Sequence, residues 1–186
     1  MKTLFLSLGF KDADKDYIAD DLEQYIGCST LNNDTDGDGI NDGTEYWIYG
    51  TDPTLSDSDN DNFNDYQELT YGTNATCNDT DGDNVKDGDE IAYGSDPLDD
   101  DTDDDGLGDY IETIGGYNYT YRLVNGAVIE LHIITKPNDA DSDDDGIDDY
   151  TEYVKGYNGL SNDTDNDNIT DYEELLNGWN VTNQDT

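Results

Sequence analysis

Carboxylates return along this chain at a fixed spacing, and that spacing limits what it can fold into. The string DTDGDGINDGTE begins at Asp34, and related strings begin at Asp12, Asp57, Asp79, Asp101, Asp141 and Asp163. Successive starts are 22, 23, 22, 22, 40 and 22 residues apart, so the period is 22 with one insertion. Such self-similarity marks a repeat array rather than one large core. Every copy carries Asp at positions 1, 3, 5 and 9 and Glu at position 12, which accounts for 35 of the 48 acidic residues.

That pattern has a chemical reason. Calcium is a hard cation that takes six to eight oxygens, and alternate side chains of a short loop can wrap it. Positions 1, 3 and 5 give three carboxylates and position 7 its backbone carbonyl. Position 9 binds directly or through water, and the Glu at 12 closes the site. The candidate ligands are Asp12, Asp14, Asp16, Ile18, Asp20 and Glu23; Asp34, Asp36, Asp38, Ile40, Asp42 and Glu45; Asp57, Asp59, Asp61, Phe63, Asp65 and Glu68. They continue as Asp79, Asp81, Asp83, Val85, Asp87 and Glu90, then Asp101, Asp103, Asp105, Leu107, Asp109 and Glu112. The last two copies supply Asp141, Asp143, Asp145, Ile147, Asp149 and Glu152, then Asp163, Asp165, Asp167, Ile169, Asp171 and Glu174. Position 6 needs a positive φ, which Gly39, Gly106 and Gly146 accept and Asn62, Asn84 and Asn168 tolerate; Tyr17 breaks the rule. Position 7 is apolar throughout, one hydrophobic anchor per repeat.

Charge leads to the same place. With 7 basic and 48 acidic residues the net charge is −41, which excludes nucleic acid as a partner and disfavours anionic membrane surfaces. No apolar run is long enough for a membrane-spanning helix. Without cations, five carboxylates per loop oppose folding, so metal binding is expected to be folding free energy. About seven or more Ca2+ ions are expected. Sites of modest affinity fill only where calcium is abundant, which places the chain outside the cell or on its surface.

After each loop one or two helical turns are expected, ending at Gly27, Gly50, Gly72, Gly94, Gly116, Gly156 and Gly178. Tyr46, Trp47, Leu69, Ile91, Val154 and Leu175 lie on these helices and are expected to pack on the next repeat. Only ten residues per period lie outside the loop, and turn formers such as GTDPTLS precede it. These are therefore EF-like loops without an entering helix. The DxDxDGxxDxxE loop, the short helix with its Gly, and the turns Gly50-Thr51-Asp52-Pro53 and Gly94-Ser95-Asp96-Pro97 resemble the thrombospondin type 3 repeat family in its bacterial and archaeal form. The resemblance spans about 160 of the 186 residues. It implies an extracellular, calcium-stabilised rod, stalk or linker. The inter-repeat cysteines of the family's animal members are missing here. Dockerin modules have similar loops, but two copies rather than seven.

The insertion carries a hairpin signal, Asn125-Gly126 between two β-rich runs. Pairing is expected to put Ala127, Ile129, Leu131 and Ile133 on one face and Tyr117, Tyr119, Tyr121 and Leu123 on the other. The stretch from Thr3 to Phe10, with Leu4, Leu6, Leu8 and Phe10 on one face, reads as a β-strand, and a signal peptide, suggested by Lys2 and the short apolar run but lacking an Ala-x-Ala-like cleavage site, is the alternative. Self-association of that strand with the hairpin from Tyr117 to Ile134, within one chain or between subunits, would cover both. The expected segments are an N-terminal strand (1–11), five repeats (12–112), the hairpin insertion (113–140), and two repeats plus the start of an eighth (141–186). The expected fold class is a calcium-stabilised repeat array of EF-like loops, each followed by a short helix, with little regular core, one inserted β-hairpin and an N-terminal β-strand.

Asn33, Asn74, Asn78, Asn118, Asn162 and Asn180 are acceptors for N-linked glycans, and Asn168, at a position 6 turn, is the poorest of the seven sequons. Cys28 and Cys77, the two cysteines, permit one disulfide. No catalytic constellation is present, since His132 is the single histidine and the carboxylates serve metal. The sequence thus reads as a non-enzymatic extracellular calcium-binding structural protein, a surface or filament subunit. A stalk or adhesin segment of a larger protein is the alternative.

Overall fold

The computed structural model describes residues 11–184, so the strand expected from Thr3 to Phe10 lies outside the described residues. Two compact units divide the chain, Met1–Thr80 with Lys86–Gly88, and Asp81–Val85 with Asp89–Thr186. Among the described residues the regular structure is several short helices and one antiparallel hairpin.

Each helix starts at position 9 of a repeat. Asp20–Ile26, Asp65–Tyr71, Asp87–Tyr93, Asp149–Lys155 and Asp171–Asn177 are each seven residues long. Position 8 caps most of them: the side chains of Asn64, Asp148 and Thr170 accept from Gln67, Thr151 and Glu173 amides, and Asn64 completes a capping box with Gln67. Glycine ends them in the left-handed region, for example Gly72 at φ 115, where an L side chain is strained. Two turns are too short to stand alone, so the flanking loops must hold them.

The second repeat shows how one extra residue is absorbed. Its interval is 23, and Asp42–Thr44 runs into a π-helical turn, Glu45–Tyr49. The Gly50 amide reaches back five residues to the Glu45 carbonyl at 2.7 Å, so the bulge takes up the added residue and the glycine cap is kept. A second π-helix, Ile111–Gly115, precedes the insertion. Gly116 there has φ 55 and ψ −179, which turns the chain into a strand instead of capping the helix as Gly27 or Gly72 does.

The 18 residues inserted between Gly116 and Thr135 hold the hairpin. β1, Tyr117–Arg122, pairs with β2, Val128–Ile133, in the register Tyr117↔Ile133, Tyr119↔Leu131 and Tyr121↔Ile129. Directly opposed residues of an antiparallel pair share a face. The expected split is therefore corrected: the tyrosines and Ile129, Leu131 and Ile133 lie on one side. Tyr117, Tyr119, Ile133 and Leu107 form a buried cluster flanked by Ile111 and Tyr121. Tyr117 Oη accepts from the Gly159 amide at 3.1 Å and its ring meets Tyr153 edge-on. The Arg122 amide donates to the Thr182 carbonyl at 2.9 Å, part of a parallel bridge between Arg122 and Asn183.

Position 7 is buried in six repeats, Ile18, Ile40, Phe63, Val85, Leu107 and Ile147, and half-buried at Ile169. The helix residues behave otherwise. Tyr46, Trp47, Ile91 and Val154 stay partly exposed and Leu69 and Leu175 half-buried, while the Trp47 indole N–H donates to the Tyr17 carbonyl of the preceding repeat at 3.3 Å.

Candidate metal centre

Each acidic loop is wound by its own side chains. Position 5 carboxylates accept the amide of position 7: Asp16 from Ile18, Asp38 from Ile40, Asp61 from Phe63, each at 2.7 Å, and Asp105 from Leu107 at 2.6 Å. Position 1 carboxylates accept the amide at position 4 or 6, as Asp34 does from Gly37 at 2.8 Å and Asp141 from Gly146 at 2.8 Å. Position 6 is left-handed in every copy, Tyr17 included at φ 82. Position 4 is left-handed too, at Lys15, Gly37, Asn60, Gly82, Asp104, Asp144 and Asn166. Sequence reasoning missed position 4, although glycine or a short polar residue fills it in six copies.

Two kinds of carboxylate group result. One joins positions 1, 3 and 5 of a single loop: Asp12, Asp14 and Asp16; Asp34, Asp36 and Asp38; Asp57, Asp59 and Asp61. The other joins positions 5 and 12 of one repeat to position 9 of the next: Asp16 and Glu23 with Asp42, and Asp61 and Glu68 with Asp87. In each group one oxygen per residue lies within 4.8 Å of the others. The same neighbourhoods recur where Asp65 acts electrostatically on Asp38, Asp83 on Asp109, Asp149 on Glu112, and Asp171 on Glu152. In the fourth repeat Asp79 and Asp87 belong to the first unit, while Asp81, Asp83 and Glu90 belong to the second.

Position 9 thus has a double engagement. Within its own loop it accepts from position 2, where Asp42 takes the Thr35 amide at 2.7 Å and hydroxyl at 2.6 Å. Ser58 does the same for Asp65, Thr80 for Asp87, Thr102 for Asp109, Ser142 for Asp149, and Thr164 for Asp171. The sequence reading assigned position 9 to its own loop's ion and overlooked position 2, although Ser or Thr stands there in six copies. In the first repeat Ala13 holds that place, and the Lys11 ammonium donates to Asp20 instead. A hydroxyl after the helix also reaches position 12, Thr51 to Glu45 at 3.3 Å and Thr135 to Glu112 at 3.0 Å.

All seven position 12 glutamates are fully buried. Both carboxylate oxygens of Glu23, Glu68 and Glu152 are buried without a hydrogen-bond donor, as are those of Asp14, Asp59 and Asp165. The ion pairs among the described residues, Lys11 with Asp20 and Lys136 with Asp139, reach none of these. Burial, reinforced by neighbouring aspartates, raises Glu23 to about 7, Glu45 and Glu68 to about 8, Glu112 to about 9 and Glu152 to about 10. Burying carboxylates without a counter-charge is prohibitively costly, so a proton or a cation must supply it. An all-oxygen, anionic cage without His or Cys suits a hard divalent cation, and the residues present fit Ca2+.

The other candidates are the cysteines, the sequons and His132. Cys28 and Cys77 are free thiols, so the expected disulfide is not formed. Cys28 lies beside Asp42 and Thr35, and burial and then Asp42 push its thiol up to about 12. Asn33, Asn74, Asn78, Asn118, Asn162, Asn168 and Asn180 are all exposed. His132 meets Asn118 Oδ1 at 3.0 Å on the hairpin. No helix among the described residues is long and apolar enough to cross a membrane.

Comparison with known proteins places residues 34–56, 57–74 and 79–100 as matches to the bacterial TSP3 repeat, a calcium-binding structural repeat family. Nothing among curated proteins or solved structures matches the chain.

Proposed function

From three bacterial TSP3 repeats in residues 34–100 as premise, we propose that this chain is an extracellular structural protein folded by calcium. The observation that carries the reading is the burial of donor-free glutamates such as Glu23, Glu68 and Glu152. The four copies at Asp12, Asp101, Asp141 and Asp163 are assigned the same role on their shared acid pattern. All the ligands named from the sequence are retained, with position 9 aimed at the preceding repeat's ion as well. Nine carboxylate groups among the described residues, some sharing an aspartate, leave room for more than seven ions. With every carboxylate group serving metal, the role is structural and not enzymatic.

Its setting is one rich in calcium, at a cell surface, with N-linked glycans on exposed sequons. The chain is proposed to self-associate through the hairpin and the stretch from Thr3 to Phe10. The hairpin is a two-stranded sheet with apolar Val128 and Leu131 exposed on β2, and Leu4, Leu6, Leu8 and Phe10 offer a matching apolar alternation. Far-ultraviolet circular dichroism and particle sizing, with calcium and after exhaustive chelation, test the proposal. Helical signal that needs calcium, and assembly lost when residues 1–10 are removed, are expected. A signal indifferent to chelation would end the calcium reading. A stalk or adhesin segment, the second reading, predicts calcium-dependent folding without assembly.

A further inference from the structure

Position 9 aspartates sit at the joint between repeats, and their aim is set by a hydroxyl. Thr35 Oγ1 accepts the Ser29 amide at 2.9 Å, the point where the chain leaves the first helix and starts the second loop. That hydroxyl then donates to Asp42, whose carboxylate shares a group with Asp16 and Glu23 of the earlier repeat. The relay recurs from the Asp52 amide through Ser58 to Asp65, and from the Asp96 amide through Thr102 to Asp109.

We infer that the position 2 hydroxyl is a positioning residue for the preceding repeat's cation, so that each inter-repeat group is completed only when the following loop has closed. The inference rests on the calcium reading above and deepens it. The hydroxyl need not touch the ion. It fixes one carboxylate and leaves the lone pairs that face the earlier repeat free to bind, the outer-shell arrangement that tunes metal sites elsewhere. Loading then becomes directional, because a defect in one loop weakens the site before it.

Thr35→Val keeps the branched shape and removes the hydroxyl, and Thr35→Ser restores it. In the full chain, amide resonances of Ile18, bonded to Asp16, report the inter-repeat group, and those of Gly37 and Ile40, bonded to Asp34 and Asp38, report the second loop. In T35V the calcium midpoint at Ile18 should rise about tenfold or more, the usual size of an outer-shell effect, while Gly37 and Ile40 keep theirs. T35S should restore the Ile18 midpoint. An unmoved Ile18 midpoint, or an equal rise at Ile40, would overturn the inference and leave calcium binding standing. A native chain with no calcium response at any of these amides would overturn both. If T35V does not fold, Ser58→Ala with Ser58→Thr as its rescue asks the same question, with Ile40 as the inter-repeat reporter and Phe63 as the loop's own.

Discussion

The Tyr66 amide donates to Asp38 Oδ2 at 3.2 Å, tying position 10 of one repeat to position 5 of the one before. Gly88 does the same to Asp61 at 3.2 Å and Tyr150 to Asp105 at 2.9 Å. Beside this bond, position 10 faces the earlier loop's position 6. Tyr66 lies 3.6 Å from where a Cβ on Gly39 would stand, Tyr150 at 3.6 Å from that of Gly106, and Tyr172 at 3.7 Å from that of Gly146. Where position 6 is Tyr17 or Asn62, the next position 10 is Gly43 or Gly88. Bulk on one side is met by its absence on the other; Asn84, followed by Tyr110, is the exception.

Gly88 is therefore a site for a decisive substitution. An added Cβ would stand 2.3 Å from the Asp61 carbonyl oxygen, a backbone atom that cannot step aside. Gly88→Ala should improve intrinsic helix propensity by roughly 0.8–1 kcal/mol. Overpacking costs typically about 1–3 kcal/mol and is expected to win. Thermal melting in saturating calcium should show a lower midpoint, and a raised one would contradict the inter-repeat geometry.

Glu68 gives a test in which the sign reverses with metal. Its carboxylate is buried, lacks a donor, and sits with Asp61 and Asp87. Glu68→Gln keeps the volume and removes the charge. Calcium affinity at that group should fall on the order of tenfold or more, since ligand charge sets affinity in such loops. The chelated protein should become more compact, because one buried charge is gone. Calorimetric titration and hydrodynamic radius, measured side by side, check the pair of effects. Loss of both affinity and compactness would mean that Glu68 has a packing role alone.

The repeat pattern made the acidic positions visible, and the structure explains why their grouping was not. A loop read by itself places Asp42 in its own ligand set, because nothing in those twelve residues shows that Asp42 will meet Asp16 and Glu23 of the preceding repeat. The joint between repeats is a long-range contact, and period alone does not say which positions meet across it. Position 2 did carry a signal, Thr or Ser in six copies, but it was masked by the aspartates on either side. The hairpin was legible from Asn125-Gly126, while the sharing of one face by Tyr119 and Leu131 depends on register. Helical spacing suggests a buried stripe at Trp47 and Val154, yet both stay partly exposed, and it is carboxylates of neighbouring repeats that meet at the joint.

Acidity should act in opposite directions on the two forms of the chain. Burial raises Glu23 to about 7, Glu45 and Glu68 to about 8 and Glu112 to about 9, above the ordinary glutamate value of 4.5. A group raised on folding stabilises the fold below its unfolded pKa and loses that contribution as pH rises through its folded one. The chelated chain should therefore hold most helix near pH 4.5 and lose it progressively up to about pH 9. With calcium the dependence inverts, since protons compete for the same oxygens and the midpoint concentration should rise as pH falls below about 8. Circular dichroism across pH, with and without chelator, reads both, and parallel curves would count against metal at the glutamates.

The hairpin should be removable without harm to the first unit. Its ends are paired, Tyr117 with Ile133, and Thr135 resumes the place that Thr73 holds in the third repeat, bonding Glu112 as Thr51 bonds Glu45. Deleting residues 117–134 joins Gly116 to Thr135 and restores the 22-residue period. The cost falls on the second unit, which loses Tyr117, Tyr119 and Ile133 from around Leu107, each buried side chain contributing about 1.5–3 kcal/mol. Hydrogen exchange in calcium should show unchanged protection at Ile18, Ile40 and Phe63 and weaker protection at Leu107. Weakening at Ile18 equal to that at Leu107 would mean that the hairpin cluster supports the whole chain, and the carboxylate joints could no longer be credited with holding the first unit.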